Sequence, residues 1–146
     1  MIQKGAIMDL SNIRFLVVDD MQLMRKIVAG ELTRLGAKHI DFAEDGMQAI
    51  EILKAKALAR TPINFIVSDW NMPNMTGIEL LKIVRKISVY KDVPFLMVTA
   101  EAEVNQVQEA IASGVDNYVV KPFTPAQFET KLAAVYKKRF GAQQAS

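Results

Sequence analysis

Short apolar runs alternate along this chain with longer stretches in which apolar residues return every three or four positions. The short runs include Phe15-Leu16-Val17-Val18, Phe65-Ile66-Val67, Phe95-Leu96-Met97-Val98 and Tyr118-Val119-Val120. Runs this short, rich in β-branched and aromatic residues, predict buried strands. The strands are expected over Arg14–Asp19, His39–Ala43, Ile63–Asp69, Pro94–Thr99 and Asp116–Val120. Between them the period changes to that of a helix. Gln22–Leu35 places Met24, Val28, Leu32 and Leu35 on one face, and Gly36 follows as a stop signal. Gly46–Leu58 aligns Met47, Ile50, Leu53 and Ala57, and Thr76–Ser88 aligns Leu80, Leu81, Val84 and Ile87. Glu103–Ser113 aligns Val104, Val107 and Ile111 before Gly114. Thr124–Phe140 aligns Phe128, Leu132, Val135 and Tyr136, and is expected to fray near Gly141.

Five strand–helix units in succession predict one α/β domain, a parallel sheet covered by helices on both faces. The domain is expected over residues 13–140, with residues 1–12 as a flexible extension and 141–146 as a flexible tail. No linker, repeat or low-complexity block interrupts the pattern.

Composition narrows the function. Apolar residues make up 51% of the 146, which argues against disorder. A net charge of only +2 gives a nucleic-acid role little support. The absence of cysteine removes disulfides and thiolate chemistry. No apolar stretch approaches the about 18 residues of a membrane span, and the first residues lack the long apolar core of a secretory signal. A cytoplasmic, monomeric protein is expected.

The strand ends carry the chemistry. In a parallel sheet, Asp19 and Asp20, Asp69, Thr99 and Lys121 all fall on one edge. Taken alone, Asp19-Asp20 reads equally as a turn and helix cap before Met21, and Asp69 as a turn residue. Together, three acids repel one another unless a cation sits among them, and hard oxygen ligands suit Mg²⁺. Asp69, leaving the central strand, is the candidate nucleophile toward a phosphorus centre. Lys121 and Thr99 are candidate partners for a phosphoryl oxygen. X–Pro bonds are trans by default, so Lys121–Pro122 is expected trans. His39 is read as a surface residue, and Lys137-Lys138-Arg139 as a solvated helix face.

These residues closely resemble the receiver domains of two-component signalling, and among them the single-domain receivers of chemotaxis. The matching runs are Phe15–Asp20, Ala43–Gly46, Ser68–Gly77, Leu96–Ala102 and Tyr118–Thr124, within about residues 12–138. The resemblance implies a flavodoxin-like sheet of order 2-1-3-4-5, in which the first and third strands are neighbours. It implies that Asp69 takes a phosphoryl group from a histidine kinase. Mg²⁺ would be bound by Asp20, Asp69 and the main-chain carbonyl of Asn71, with Asp19 acting through water. Lys121 and Thr99 would contact the phosphoryl group, Tyr118 would turn inward as Thr99 moves, and Asn71 and Glu101 would tune dephosphorylation. The output would be phosphorylation-dependent binding of a partner, either a flagellar motor switch protein or another output protein, with no membrane or nucleic acid involved. Glu103 and Val104 stand where the chemotaxis receivers usually carry two lysines, which implies weak motor binding or another target, such as a phosphate-sink role. Met21 replaces their usual phenylalanine.

Other classes are weaker. A Mg²⁺-dependent phosphohydrolase with an aspartyl nucleophile usually needs a second acid two residues on, where this chain has Asn71. A nucleotide or flavin carrier would need a Gly-rich loop after the first strand, where the chain reads Asp19-Asp20-Met21-Gln22. The protein is therefore expected to be a switch, not a turnover enzyme.

Overall fold

The computed structural model describes residues 8–100 and 104–145, with side chains for 8–100 and 105–141. The strands are β1 (Arg14–Val18), β2 (His39–Ala43), β3 (Phe65–Asp69), β4 (Phe95–Thr99) and β5 (Asn117–Val120). The helices are α1 (Gln22–Arg34), α2 (Gly46–Leu58), α3 (Gly77–Lys86), α4 (Val104–Ala112) and α5 (Pro125–Ala145), with a short 3₁₀ turn at Ser88–Tyr90. All strands pair in parallel in the order β2-β1-β3-β4-β5, as the resemblance implied. None of the described helices is long and apolar enough to cross a membrane.

Every residue of β3 and β4 is buried, as strands covered on both faces must be. Side-chain alternation divides the core. Leu16, Val18, Ile66, Phe95 and Met97 pack beneath α2 and α3. Phe15, Val17, Phe65, Val67, Leu96 and Val98 pack against Val28 and Leu32 of α1 and Phe128 and Leu132 of α5.

Local signals fix the helix starts. Thr76 and Glu79 form a reciprocal capping box, with bonds of 3.1 and 2.8 Å. Thr124 and Gln127 repeat it before α5 at 3.1 and 2.9 Å. At the C-terminal ends, Gly36 and Gly114 take φ of 110° and 98°, a region that penalises any Cβ.

Several expectations need correction. On α2 the inward face is Gly46, Ala49 and Leu53, while Met47 is exposed. Each residue turns a helix by about 100°, so Met47 lies well off the face centred on Gly46. That face selects small residues because α2 comes close: a Cβ on Gly46 would lie 2.5 Å from the Met75 sulfur. On α4, Ala110 is buried and Ile111 is exposed, and the side chain of Val104 lies outside the described residues.

Within residues 8–12, Leu10 turns inward while Asp9 and Asn12 are exposed. Leu10 is buried against the α1–α5 side of the core, and the Asp9 N–H donates to the Tyr136 hydroxyl at 3.2 Å. Residues 1–7 lie outside the described residues. The last helix continues past Gly141 to Ala145. Lys138 and Arg139 do not form a merely solvated face, since both reach the Asp116 carboxylate. The Lys121–Pro122 peptide is cis, because the trans preference of an X–Pro bond is only about 0.5–1 kcal/mol and the fold outweighs it. His39 is exposed at the start of the edge strand, as expected.

Candidate functional site

Register assembles the site. Val18 pairs with Ser68, so the next residues, Asp19 and Asp69, stand side by side where β1 and β3 end. Thr99 pairs with Val120, which sets Lys121 just beyond the end of β4. The Lys121 N–H donates to the Thr99 carbonyl at 2.8 Å. A one-residue slip in any of these pairs would send the functional side chain to the opposite face of the sheet.

The three acids meet as the sequence predicted. Asp19, Asp20 and Asp69 each offer a carboxylate oxygen within 4.8 Å of the others. Asp19 and Asp69 are buried and Asp20 is exposed, so the cluster opens to solvent on the Asp20 side. Lys121 Nζ donates to Asp69 Oδ1 at 3.0 Å and lies 3.8 Å from Asp19 Oδ2. Asp69 Oδ1 also accepts the Trp70 N–H at 2.9 Å. Thr99 is buried at the end of β4, and Asn71 is exposed two residues beyond Asp69. Glu101 lies outside the described residues. Tyr118 is half-buried on β5, on the sheet face that also carries Met97 and Thr99.

Asp19 is not a cap by position: the residue that caps α1 is Met21, without a side-chain bond. Asp19 instead accepts the Met21 N–H at 2.9 Å, which turns the chain from β1 into α1.

Two other residues hold the frame, Arg25, which carried no sequence signal, and Gly77, which closes the matching run from Ser68. Arg25, one turn into α1, donates to the Asp19 carbonyl at 2.7 Å. Gly77 opens α3 directly under the site. Its N–H donates to the Trp70 carbonyl at 2.8 Å, and any Cβ there would collide with the main-chain oxygen of Asp69. Glycine is required by that approach.

One ammonium faces three carboxylates in a partly dry pocket. Burial pushes the Asp69 carboxyl above its ordinary value, opposed by Lys121 and the Trp70 N–H. Burial also raises Asp19, opposed by the Met21 N–H and Lys121 and reinforced by Asp69 and Asp20. The donor set is all oxygen, and excess negative charge converges on one point. That arrangement fits a hard divalent cation.

The raised values carry a sign. The folded state holds protons on Asp19 and Asp69 at pH values where the unfolded chain has lost them. Stability therefore falls as pH rises from the ordinary carboxylate value through the raised one. In metal-free buffer this burden is greater at pH 7 than near pH 4. Asp19→Asn, which keeps an oxygen for the Met21 N–H, is expected to melt a few degrees higher than wild type at pH 7. The gain should shrink toward pH 4 and vanish when divalent cation is added. Calorimetry with EDTA at both pH values checks it, and a variant less stable than wild type at pH 7 would contradict this electrostatic picture.

The family pattern of the response regulator receiver domain matches residues 15–133. This chain is a receiver domain. Chemotaxis protein CheY-3 of Vibrio cholerae is 42% identical to it over 127 residues, 87% of this chain and 94% of that protein. Chemotaxis protein CheY1 of Helicobacter pylori is 43% identical over 122 residues, 84% of this chain and 95% of that one. Among solved structures, chemotaxis protein CheY4 of Vibrio cholerae matches with a TM-score of 0.74 at 38% identity, covering 84% of this chain and 98% of that one. The receiver's sheet edge is thus where the acids, Thr99 and Lys121 collect.

Proposed function

We propose that this receiver is a phosphoacceptor switch, charged at Asp69 by a histidine kinase and read by a partner protein. The observation that carries the reading is Asp69 itself. It is buried among Asp19 and Asp20, and its Oδ1 is tied to Lys121 and to the Trp70 N–H. Those two bonds orient the carboxylate and leave Oδ2 for attack on phosphorus. As the new P–O bond forms, the P–N bond to the kinase histidine breaks and its electron pair returns to the imidazole. Lys121, already in place, meets the charge that develops on the phosphoryl oxygens.

Mg²⁺ fits the acid cluster and would be held by Asp20, Asp69 and the Asn71 carbonyl, with Asp19 behind a water. When bound, it would neutralise the phosphoryl oxygens. Thr99 would then close on the phosphoryl group and Tyr118 would turn inward, a charge-driven change of a bistable element. Asn71 and Glu101 would tune hydrolysis of the acyl phosphate. The reading takes the protein to be a cytoplasmic monomer, not a turnover enzyme. The names of its relatives favour chemotaxis as the setting, with a flagellar motor switch protein or another output protein as partner.

Trp70, buried beside Asp69, reports on the site. Titrating Mg²⁺ should change its fluorescence, and Asp20→Asn should raise the half-saturating concentration by at least about tenfold, the usual cost of disturbing a metal's surroundings. Identical titrations for wild type and variant would remove Asp20 from the site.

A further inference from the structure

Tyr118 lies between two kinds of neighbour. On one side it packs against the core beneath α2 and α3. On the other it borders a groove lined with Val120, Pro122, Gln127 and Lys131. Lys131 reaches over from the first half of α5, and its Nζ lies 5.0 Å from the centroid of the Tyr118 ring. The lysine is itself restrained, since Nζ is 3.5 Å from Asn117 Oδ1, the same oxygen that accepts the Tyr118 N–H at 2.8 Å. Ammonium, amide and ring therefore form one connected unit on the groove side of β5.

A cation over the ring face is drawn to it by the ring's quadrupole. A ring that turns inward leaves that cation behind. We propose that Lys131 is a positioning residue that holds Tyr118 on the groove side and opposes its inward turn, so that the charge on α5 sets how much phosphorylation is needed to throw the switch. The proposal rests on the reading of Tyr118 as the ring that follows Thr99. Their placement supports the link: Met97 pairs with Tyr118 and Thr99 with Val120, so Thr99 and Tyr118 project from the same face of the sheet on adjacent strands.

The energetic consequence is linkage. A ligand that favours the inward state binds more tightly when a contact special to the outward state is removed. Lys131→Met keeps the length and helix propensity of the side chain and removes the charge. Lys131→Arg keeps a cation that also stacks on aromatic faces.

The test uses the full chain with Mg²⁺ and beryllofluoride, a phosphoryl mimic, followed by Trp70 fluorescence and by NMR of ring-labelled tyrosine, with Tyr118→Phe assigning the resonance. The expected result is that Lys131→Met lowers the half-saturating beryllofluoride concentration by about two- to fivefold, the range of an exposed cation–π contact. Its Tyr118 resonance should shift toward the bound-state position before ligand is added, and Lys131→Arg should restore wild-type behaviour. Equal affinity and an unshifted ring in Lys131→Met would overturn the proposal. So would an arginine variant that behaves like the methionine one, because the effect would then come from packing. If beryllofluoride leaves the wild-type Tyr118 resonance in place, the switch reading itself falls, and the role of Lys131 falls with it.

Discussion

Incubated with acetyl phosphate and Mg²⁺, the wild-type protein is expected to gain the mass of one phosphoryl group, and Asp69→Asn is expected to gain none. The expected loss is essentially complete because no other described acid shares its setting. Asp69 alone ends the central strand with its carboxylate bonded to Lys121, whereas Asp19 is engaged by the Met21 N–H and Asp20 stands in solvent. Asparagine keeps the shape but replaces the attacking oxygen's negative charge with a neutral amide. Intact-mass spectrometry at low temperature reads the result directly. A variant that still gains one phosphoryl unit would move the acceptor elsewhere. Lys121→Ala separates accepting from signalling: it should still gain the phosphoryl group but respond weakly at Tyr118, since the ammonium that couples the new charge to the strand end is gone.

The largest loss of stability is expected at the other end of the sheet. The Asp116 side chain is fully buried just before β5. It accepts the Phe95 N–H at 2.8 Å, faces Arg139 at 2.7 Å and Lys138 at 3.0 Å, and lies 3.5 Å from Arg85. Arg85 also donates to the carbonyls of Gly114 and Val93, both at the ends of neighbouring segments. Burial already works against the Arg85 charge, and Asp116 is the main group that supports it. Asp116→Ala leaves the Phe95 N–H and the Arg139 guanidinium without their acceptor and removes the carboxylate that supports the Arg85 charge. Breaking one partner of such a buried pair costs about 3–5 kcal/mol. Lys138 is largely exposed and contributes little to that figure. Urea denaturation checks the loss, and a cost below about 1 kcal/mol would reduce the network to an ordinary surface pair. Mg²⁺ binding should be unchanged in the folded variant, because the network lies at the opposite sheet edge from the acids.

The strand ends and the acids were legible because they depend on local pattern. A buried strand needs an unbroken apolar run, and a carboxylate directly after it can only project from the sheet edge. The register that sets Asp19 beside Asp69 was reached through resemblance, not periodicity, because pairing is a property of two strands and appears in neither alone. Hydrophobicity misplaced the faces of α2 and α4 for a related reason. It favours Met47 and Ile111, but the buried positions go to Gly46, Ala49 and Ala110, and at Gly46 the reason is the close approach of Met75. Lys138 and Arg139 read as part of a solvated face since nothing local shows that they and Arg85 converge on the Asp116 carboxylate. Leu10 was assigned to a loose extension, yet burial depends on what lies opposite, here the end of α5.

That contact has a practical consequence. Asp9 bonds Tyr136, so the described chain begins beside its own last helix, at the edge of the sheet farthest from Asp69. A fluorescent reporter attached at Asp9 would hang from the base of the molecule and leave the mouth of the acid pocket clear for a docking protein.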